Sequence, residues 1–187
     1  MLNATFMKEA LATSDKKVTF VMLSQKQSKD TIEFTINALL SQMKKIVLVA
    51  FSKQPSDSFK QLIEQNKSIS LIDCSGTMGD STRALSISNP SDLTSLQVAL
   101  DRIDNEIQGT KTIIFDSVNM MAIYNNKEDF GRFIHLLSNK MRLKENSVIF
   151  FTTKEATNPI ATEVMQELAD KTYDYSNLLI DAISVYE

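Results

Sequence analysis

The fold is decided by the stretch Lys45-Ile-Val-Leu-Val-Ala-Phe51, an apolar run rich in β-branched residues. Continuous apolar character is typical of a strand covered on both faces, as in a parallel sheet. The segment Val18-Thr-Phe-Val-Met-Leu23 is also compact and apolar and predicts an earlier strand. Between the two, from Thr31 onward, apolar residues fall at helical spacing, and Ser28 or Asp30 is placed to cap the first turn. The sequence therefore predicts a βαβ unit.

The same alternation of strands and helices continues along the chain. Further strands are predicted at Ile69–Asp73, Thr112–Asp116 and Ser147–Phe151, with extended segments near Thr172–Tyr175 and Ile180–Tyr186. Helices are predicted around Phe59–Ile63, from Asn89-Pro90 to Gly109, from Val118, over Phe130–Met141 and from Asn158-Pro159. This pattern predicts a three-layer α/β fold, a mostly parallel sheet with helices on both faces. We expect a single such domain over residues 16–187, preceded by a helical segment over residues 1–15.

Composition limits the chemistry that the chain can perform. Its 187 residues carry 20 Lys and Arg against 23 Asp and Glu, a net charge of −3, so no overall basic field attracts nucleic acid or anionic lipid. The single cysteine, Cys74, excludes an intramolecular disulfide, and the single histidine, His135, leaves little material for metal sites or histidine-based catalysis. No apolar run approaches the ~20 residues of a membrane span, and no signal-peptide pattern is present. We expect a cytoplasmic protein without a membrane partner.

The segment Thr112-Ile-Ile-Phe-Asp116-Ser117 resembles the Walker B strand of the RecA superfamily of P-loop ATPases. The resemblance is closest to the KaiC-like branch, which includes archaeal RadA-type ATPases. It extends to a phenylalanine-rich helix at Phe130–Leu137, to Val148–Glu155 and to Leu168-Ala-Asp170, in the family's order. It implies a RecA-like P-loop NTPase fold and, as partners, a paralogous ATPase, another protein or further copies of the chain.

This chain differs from that family at two places in the nucleotide-binding motifs. Where the family has its Walker A loop, the chain reads Leu23-Ser-Gln-Lys-Gln-Ser-Lys-Asp-Thr31, without the glycine that lets backbone amides approach phosphates. Asp30 stands where the family's magnesium-binding Ser or Thr belongs. After the second strand, Ser52-Lys53 replaces the catalytic Glu-Glu pair of the KaiC-like branch. Both departures predict that the family mechanism of ATP hydrolysis is lost, and we expect no cofactor and no catalytic residue.

Four residues are candidates for a vestigial nucleotide site: Lys29, Thr31, Asp116 and Ser117. By the resemblance, Lys29 occupies the place of the family's lysine, and Asp116 is the acid that holds magnesium through water. The alternative is structural. Asp116 or Ser117 then caps a short helix beginning at Val118, and Lys29 is a solvated lysine in a helical turn.

Other residues near the predicted carboxyl edge of the sheet have two interpretations each. Lys26 and Lys53, together with Lys29, either form a small positive rim that accepts an anion or are scattered surface lysines. The turn Gly76-Thr-Met-Gly79 is either an anion-binding turn or an ordinary loop. Cys74 is either a reactive thiol or a buried small hydrophobe, and His135 is expected to be exposed.

Two functions follow from these observations. The first is a non-catalytic RecA/KaiC-like domain, a pseudo-ATPase that acts through protein contacts in regulation or assembly. The second is a nucleotide-binding sensor or weak ATPase with a phosphate site rebuilt from Lys29, Thr31 and Asp116, whose ligands are ATP and magnesium. Nucleic-acid binding is disfavoured by the net negative charge.

Overall fold

The computed structural model describes residues 17–51, 57–76, 84–156 and 158–177. Its strands are β1 (Val18–Leu23), β2 (Lys45–Ala50), β3 (Ile69–Asp73), β4 (Ala84–Ser86), β5 (Lys111–Phe115), β6 (Ser147–Thr153) and β7 (Lys171–Asp174). Its helices are α1 (Gln25–Ser41), α2 (Asp57–Gln65), α3 (Leu93–Glu106), α4 (Val118–Tyr124), α5 (Lys127–Leu143) and α6 (Pro159–Leu168), and a 3-10 turn at Lys154–Ala156 follows β6. The predicted segments 1–15 and 180–186 lie outside the described residues.

The seven strands form one parallel sheet in the order β4-β3-β2-β5-β6-β1-β7. One helix follows each of β1, β2, β4 and β6, and the two helices α4 and α5 follow β5; these helices return the chain to the edge at which the next parallel strand starts. The carboxyl ends of β2, β5, β6 and β1 are therefore neighbours at one edge. This arrangement confirms the predicted three-layer α/β fold.

Strand side chains alternate between two buried layers, one on each face of the sheet. Helices α1 and α2 cover the layer that includes Leu48, and helices α3 to α6 cover the layer that includes Val49. In the second layer the rings of Phe115 and Phe150, on adjacent strands, stack with their centroids 4.7 Å apart. The central strands are mostly apolar on both sides because both of their faces are buried.

Two helices begin at residues other than those predicted. Helix α1 begins at Gln25 rather than Thr31, so Ser24 and neither Ser28 nor Asp30 is its N-cap residue. Helix α3 begins at Leu93, and its N-cap is Asp92, which accepts a hydrogen bond from the Ser95 amide at 2.9 Å.

The Asn-Pro pairs before α3 and α6 behave differently. The side-chain oxygen of Asn89 accepts a hydrogen bond from the Ser91 amide at 3.0 Å within the turn before α3. Asn89 does not cap the helix, so the capping role predicted for it is wrong. The predicted start of α6 is confirmed, with Asn158 as N-cap and Pro159 in the first turn.

Strand limits differ from the prediction by a few residues. Strand β5 covers Lys111–Phe115 and leaves Asp116 just beyond its end, while β6 continues to Thr153 instead of stopping at Phe151. The three-residue edge strand β4 is absent from the sequence prediction because it is short and only partly buried. In the part of the chain that the structure describes, no helix has both the length and the apolar character needed to cross a membrane.

Candidate functional site

The junction between β1 and α1 lies at the carboxyl edge of the sheet, where ligands of open α/β sheets bind. A single residue, Ser24, separates the two elements. Its backbone carbonyl accepts hydrogen bonds from the amides of Gln27 at 3.0 Å and Ser28 at 3.1 Å. Its own amide donates to the side-chain oxygen Oε1 of Gln27 at 3.0 Å. The segment that the resemblance assigns to a Walker A loop therefore forms the first two turns of a helix.

A carboxylate from β6 meets this helix start. The backbone amide of Gln25, the first residue of α1, donates a hydrogen bond to Oε2 of Glu155 at 2.9 Å. Glu155 lies in the 3-10 turn that follows β6, the strand next to β1 in the sheet. Backbone amides at a helix N-terminus attract anions, and here the anion is a side chain of the chain itself.

The turn that carries Glu155 is held from two sides. Asn119, which is buried on α4, donates from Nδ2 to the carbonyl of Thr153 at 3.3 Å. Its Oδ1 accepts from the amide of Asn158, after the turn, at 3.3 Å. Lys154, inside the turn, donates to Oδ1 of Asn177 at 2.8 Å. Glu155 is thus presented to α1 by a segment tied to α4 and to the residues after β7.

Lys29 and Thr31 lie on α1 rather than in a loop. Lys29 and its neighbour Asp30 are exposed, as is Lys26 one turn earlier. Thr31 is buried, and its carbonyl accepts from the Thr35 hydroxyl at 2.7 Å inside the helix. Lys29 and Thr31 are two residues apart on this helix, so they lie on nearly opposite faces of it and not around a shared phosphate position.

Asp116 lies just beyond β5 at the same edge. Its carboxylate oxygen Oδ1 accepts from the amide of Phe51 at 2.7 Å, and its own amide donates to the carbonyl of Val49 at 3.2 Å. Both bonds tie the end of β5 to the end of β2. Ser117 is the N-cap residue of α4, as the structural alternative expects. Its side chain makes no capping hydrogen bond.

A second acid, Asp73, ends β3 two strands from Asp116. It is 2% exposed, and its Oδ1 accepts from the amides of Ser75 at 2.8 Å and Gly76 at 3.1 Å, which closes a tight turn. Gly76 has a φ of 68°, a left-handed conformation that favours glycine. Gly79, the other glycine of the predicted anion-binding turn, lies outside the described residues.

Cys74 follows Asp73 and is buried. Burial, together with the carboxylates of Asp116 and Asp73, raises the pKa of its thiol to about 12. A reactive thiolate needs a lowered pKa, so the geometry favours the interpretation of Cys74 as a buried small hydrophobe. His135 is exposed on α5, as predicted, and contacts Asn139.

Ser52 and Lys53, which the resemblance assigns to the position of the catalytic pair in the KaiC-like branch, lie outside the described residues. Among the residues that the structure does describe, no three His, Cys, Asp or Glu side chains are grouped so that they would hold a metal ion.

Sequence reasoning missed the role of Glu155. The resemblance included the segment that contains it, but no local signal relates a glutamate after the sixth strand to an amide after the first. Only the sheet order, which puts β6 beside β1, brings the two together.

Comparison with solved structures identifies the fold. The chain is similar to the crystal structure of the flagellar accessory protein FlaH from Methanocaldococcus jannaschii, with a TM-score of 0.60 and 14% sequence identity over 90% of this chain and 76% of that chain. The fold is RecA-like. At this level of identity the likeness concerns the fold alone. No protein-family model matches the sequence, and no curated protein matches it.

Proposed function

We propose that this chain is a non-catalytic RecA-like domain, a pseudo-ATPase that acts through contacts with other proteins in regulation or assembly. The observation that carries the proposal is the junction of β1 and α1, where only Ser24 lies between strand and helix. A phosphate loop is built from several residues whose amides converge on the ligand. This junction contains a single residue between strand and helix.

The hydrogen-bond partners of the junction support the same conclusion. The Gln25 amide is bonded to Glu155, and the amides of Gln27 and Ser28 are bonded to the Ser24 carbonyl. A triphosphate at this position would have to displace a carboxylate of the protein and would meet its charge at close range. This contact supports the proposal that ATP does not bind at this edge.

Asp116 is the residue that the resemblance connects with magnesium, and its contacts support a structural role. One of its carboxylate oxygens accepts from the Phe51 amide at 2.7 Å, so this oxygen holds β5 to β2. Without bound phosphates, a lone magnesium ligand would have no substrate to activate.

The comparison with FlaH supports a role in a protein assembly, and it does not identify a partner. FlaH is by its title a flagellar accessory protein, and the chain shares its fold over most of its length. Homo-oligomerisation or binding to a paralogous ATPase is the form of contact that the resemblance to the RecA superfamily implies.

The second function is a nucleotide sensor with a rebuilt site. It is favoured by the position of Asp116, which lies at the same carboxyl edge of the sheet as the β1–α1 junction. Binding of a fluorescent ATP analogue, with and without magnesium, separates the two functions. We expect no saturable binding by the wild-type protein.

The informative variants for that experiment are Asp116→Ala and the control Glu106→Ala. Glu106 is an exposed acid at the far end of α3, paired only on the surface with Arg102. Magnesium-dependent micromolar binding that is lost in Asp116→Ala and kept in Glu106→Ala would overturn the proposal and establish the sensor.

A further inference from the structure

The opposite edge of the sheet, where its strands begin, carries a row of lysines in a chain of net negative charge. Five strands start at or just after a lysine, and a sixth follows the turn at Lys144. We call these residues the lysine edge; they are Lys17, Lys45, Lys67, Lys111, Lys144 and Lys171.

The register of the sheet places Lys45 and Lys111 side by side, and the other lysines of this edge lie within about three residues of their level. Lys45 on β2 pairs directly with Lys111 on β5, and Lys171 on β7 pairs with Thr19 near the start of β1. The order of the strands is β3, β2, β5, β6, β1 and β7, so the row crosses five strand intervals. At about 4.8 Å per interval it is about 24 Å long.

The centre of the row contains more cations than its local acid can neutralise. Asp104, on α3, accepts from Nζ of Lys111 at 2.5 Å and also from Nζ of Lys144. One carboxylate therefore serves two ammonium groups, which leaves an excess positive charge. Lys111 is almost fully buried, whereas the side chain of Lys144 is 43% exposed, so the excess charge faces solvent through Lys144.

A cavity of about 310 Å³ opens at this point. It is lined by Asp104, Lys111, Lys144, Asn146 and the turn 107–110. Lys45 reaches the same turn, since its Nζ donates to the carbonyl of Gln108. Its volume is sufficient for a side chain that carries a carboxylate.

Two acids lie in the strand-start segments beside the row, and only Glu145 offsets part of the charge of its six lysines. Asp170 is bonded to Arg142 at 2.9 Å and to the Val18 amide at 2.7 Å, so its charge is already matched. Glu145 is exposed beside Lys144. Lys45 and Lys67 are exposed at the other end of the row.

The chemistry of the row favours an acidic protein segment over nucleic acid. Single-stranded nucleic acid is bound by lysine and arginine together with aromatic side chains that stack on bases. In the described residues, the segments that form this edge, 42–45, 66–68, 107–111, 144–147 and 169–171, contain no aromatic residue. A carboxylate ligand needs only the ammonium groups.

We propose that the lysine edge, centred on the Lys111–Asp104–Lys144 cluster and its cavity, is a docking surface for an acidic segment of a partner protein. The proposal deepens the proposed function by naming the surface and the chemistry of the partner. It rests on that function only in taking the partner to be a protein. The lysine edge lies at the edge of the sheet opposite the β1–α1 junction. An experiment can therefore contradict the docking proposal without contradicting the proposed function.

The experiment is fluorescence anisotropy with a labelled peptide of alternating Glu and Ala, about eight residues long to span the row in extended form. We expect saturable binding that weakens with salt, because the contacts are between exposed charges. The same peptide with Gln in place of Glu should not bind. The double variant Lys45→Glu/Lys67→Glu should bind roughly tenfold or more weakly.

The control variant is Lys127→Glu/Arg132→Glu, which makes the same change in net charge at exposed positions on α5, away from the lysine edge. Circular dichroism and thermal melting of both variants establish that each is folded. Equal losses in the two double variants, or no binding by the wild-type protein, would overturn the proposal. So would tighter binding of an oligothymidylate of matched charge, which would make the edge a nucleic-acid surface. The ATP-analogue measurement is unaffected by any of these outcomes.

Discussion

The carboxylate of Glu155 accepts a hydrogen bond from the backbone amide of Gln25, and this contact joins the end of β6 to the first turn of α1. Because β6 and β1 are neighbours, the glutamate reaches the helix N-terminus without crossing another strand. The partial positive charge that a P-loop protein offers to phosphate is directed here toward the protein's own acid.

Replacement of this acid should weaken α1 slightly and create no nucleotide site. We expect Glu155→Ala to lower the free energy of unfolding by about 0.5–1 kcal/mol, since an anion and an acceptor are lost from the helix N-terminus. Glu155→Gln keeps an acceptor oxygen and should lose less. Urea denaturation measures both variants, and equal stability of all three proteins would contradict the role of the contact.

Asp116 should matter for stability through its bond to Phe51. We expect Asp116→Ala to lower the free energy of unfolding by about 1–2 kcal/mol, because the Phe51 amide loses its acceptor. Asp116→Asn retains an oxygen at this position and should be closer to wild type. Differential scanning fluorimetry with magnesium and ATP provides the control, since a stabilisation present in wild type and absent from Asp116→Asn would assign the carboxylate to a metal.

The centre of the sheet should not accept a charge. Val49 is fully buried on β2, so Val49→Asp leaves an unpaired carboxylate between two layers and should lower the free energy of unfolding by at least about 3 kcal/mol. The matched change Val98→Asp, at a residue 63% exposed on α3, should have little effect. Solubility and cooperative thermal melting decide the comparison, and a cooperatively melting Val49→Asp protein would contradict the burial.

The sequence was sufficient to predict the fold class because the apolar strand segments are recognisable without knowledge of distant contacts. The run 46–51 is apolar at every position, which is typical of a strand in a sheet covered on both faces. Helix starts were less predictable. Ser24, Ser28 and Asp30 are all capping residue types within seven positions, and the choice of Ser24 depends on Gln27 and on Glu155, which is distant in sequence.

The candidate site was predictable only in position. Sequence reasoning places Asp116 after a buried strand at the carboxyl edge, and the structure agrees. Its bond to the Phe51 amide depends on β5 lying beside β2, an adjacency that spacing along the chain does not specify. The pairing of Asp104 with Lys144 depends in the same way on how α3 and α5 lie at the start of β6.

Asp104 should make stability sensitive to acid. Burial raises the pKa of this carboxyl, but hydrogen bonds and charge from Lys111 and Lys144 outweigh it and hold the pKa below the ordinary value of 3.8. A lowered folded-state pKa stabilises the protein above the unfolded-state pKa, and this contribution is lost as the pH falls through the folded-state value.

We therefore expect Asp104→Asn to be less stable than wild type at neutral pH, by about 3 kcal/mol, because the buried Lys111 ammonium loses its counter-charge. The difference should shrink as the pH falls below about 4. Urea denaturation across this pH range measures it. Glu163→Gln, which breaks the exposed pair with Lys127, is the control and should change stability little at any pH. A constant difference between Asp104→Asn and wild type would exclude the titration of Asp104 as its cause.

Purified protein should release no phosphate from ATP above the buffer rate, and Lys53→Glu should not restore turnover. Hydrolysis needs amides around the phosphates and a base beside the attacking water. Lys53 stands where the KaiC-like branch has its catalytic acid, so Lys53→Glu supplies a base alone. It leaves Ser24 as the whole connection between β1 and α1, and Glu155 on the Gln25 amide. A base without a bound triphosphate has no water to direct at a phosphorus atom. A steady-state phosphate-release assay across gel-filtration fractions tests this, with Asp116→Ala as the background. Turnover that follows the protein peak and disappears in Asp116→Ala would mean that the edge binds ATP after all.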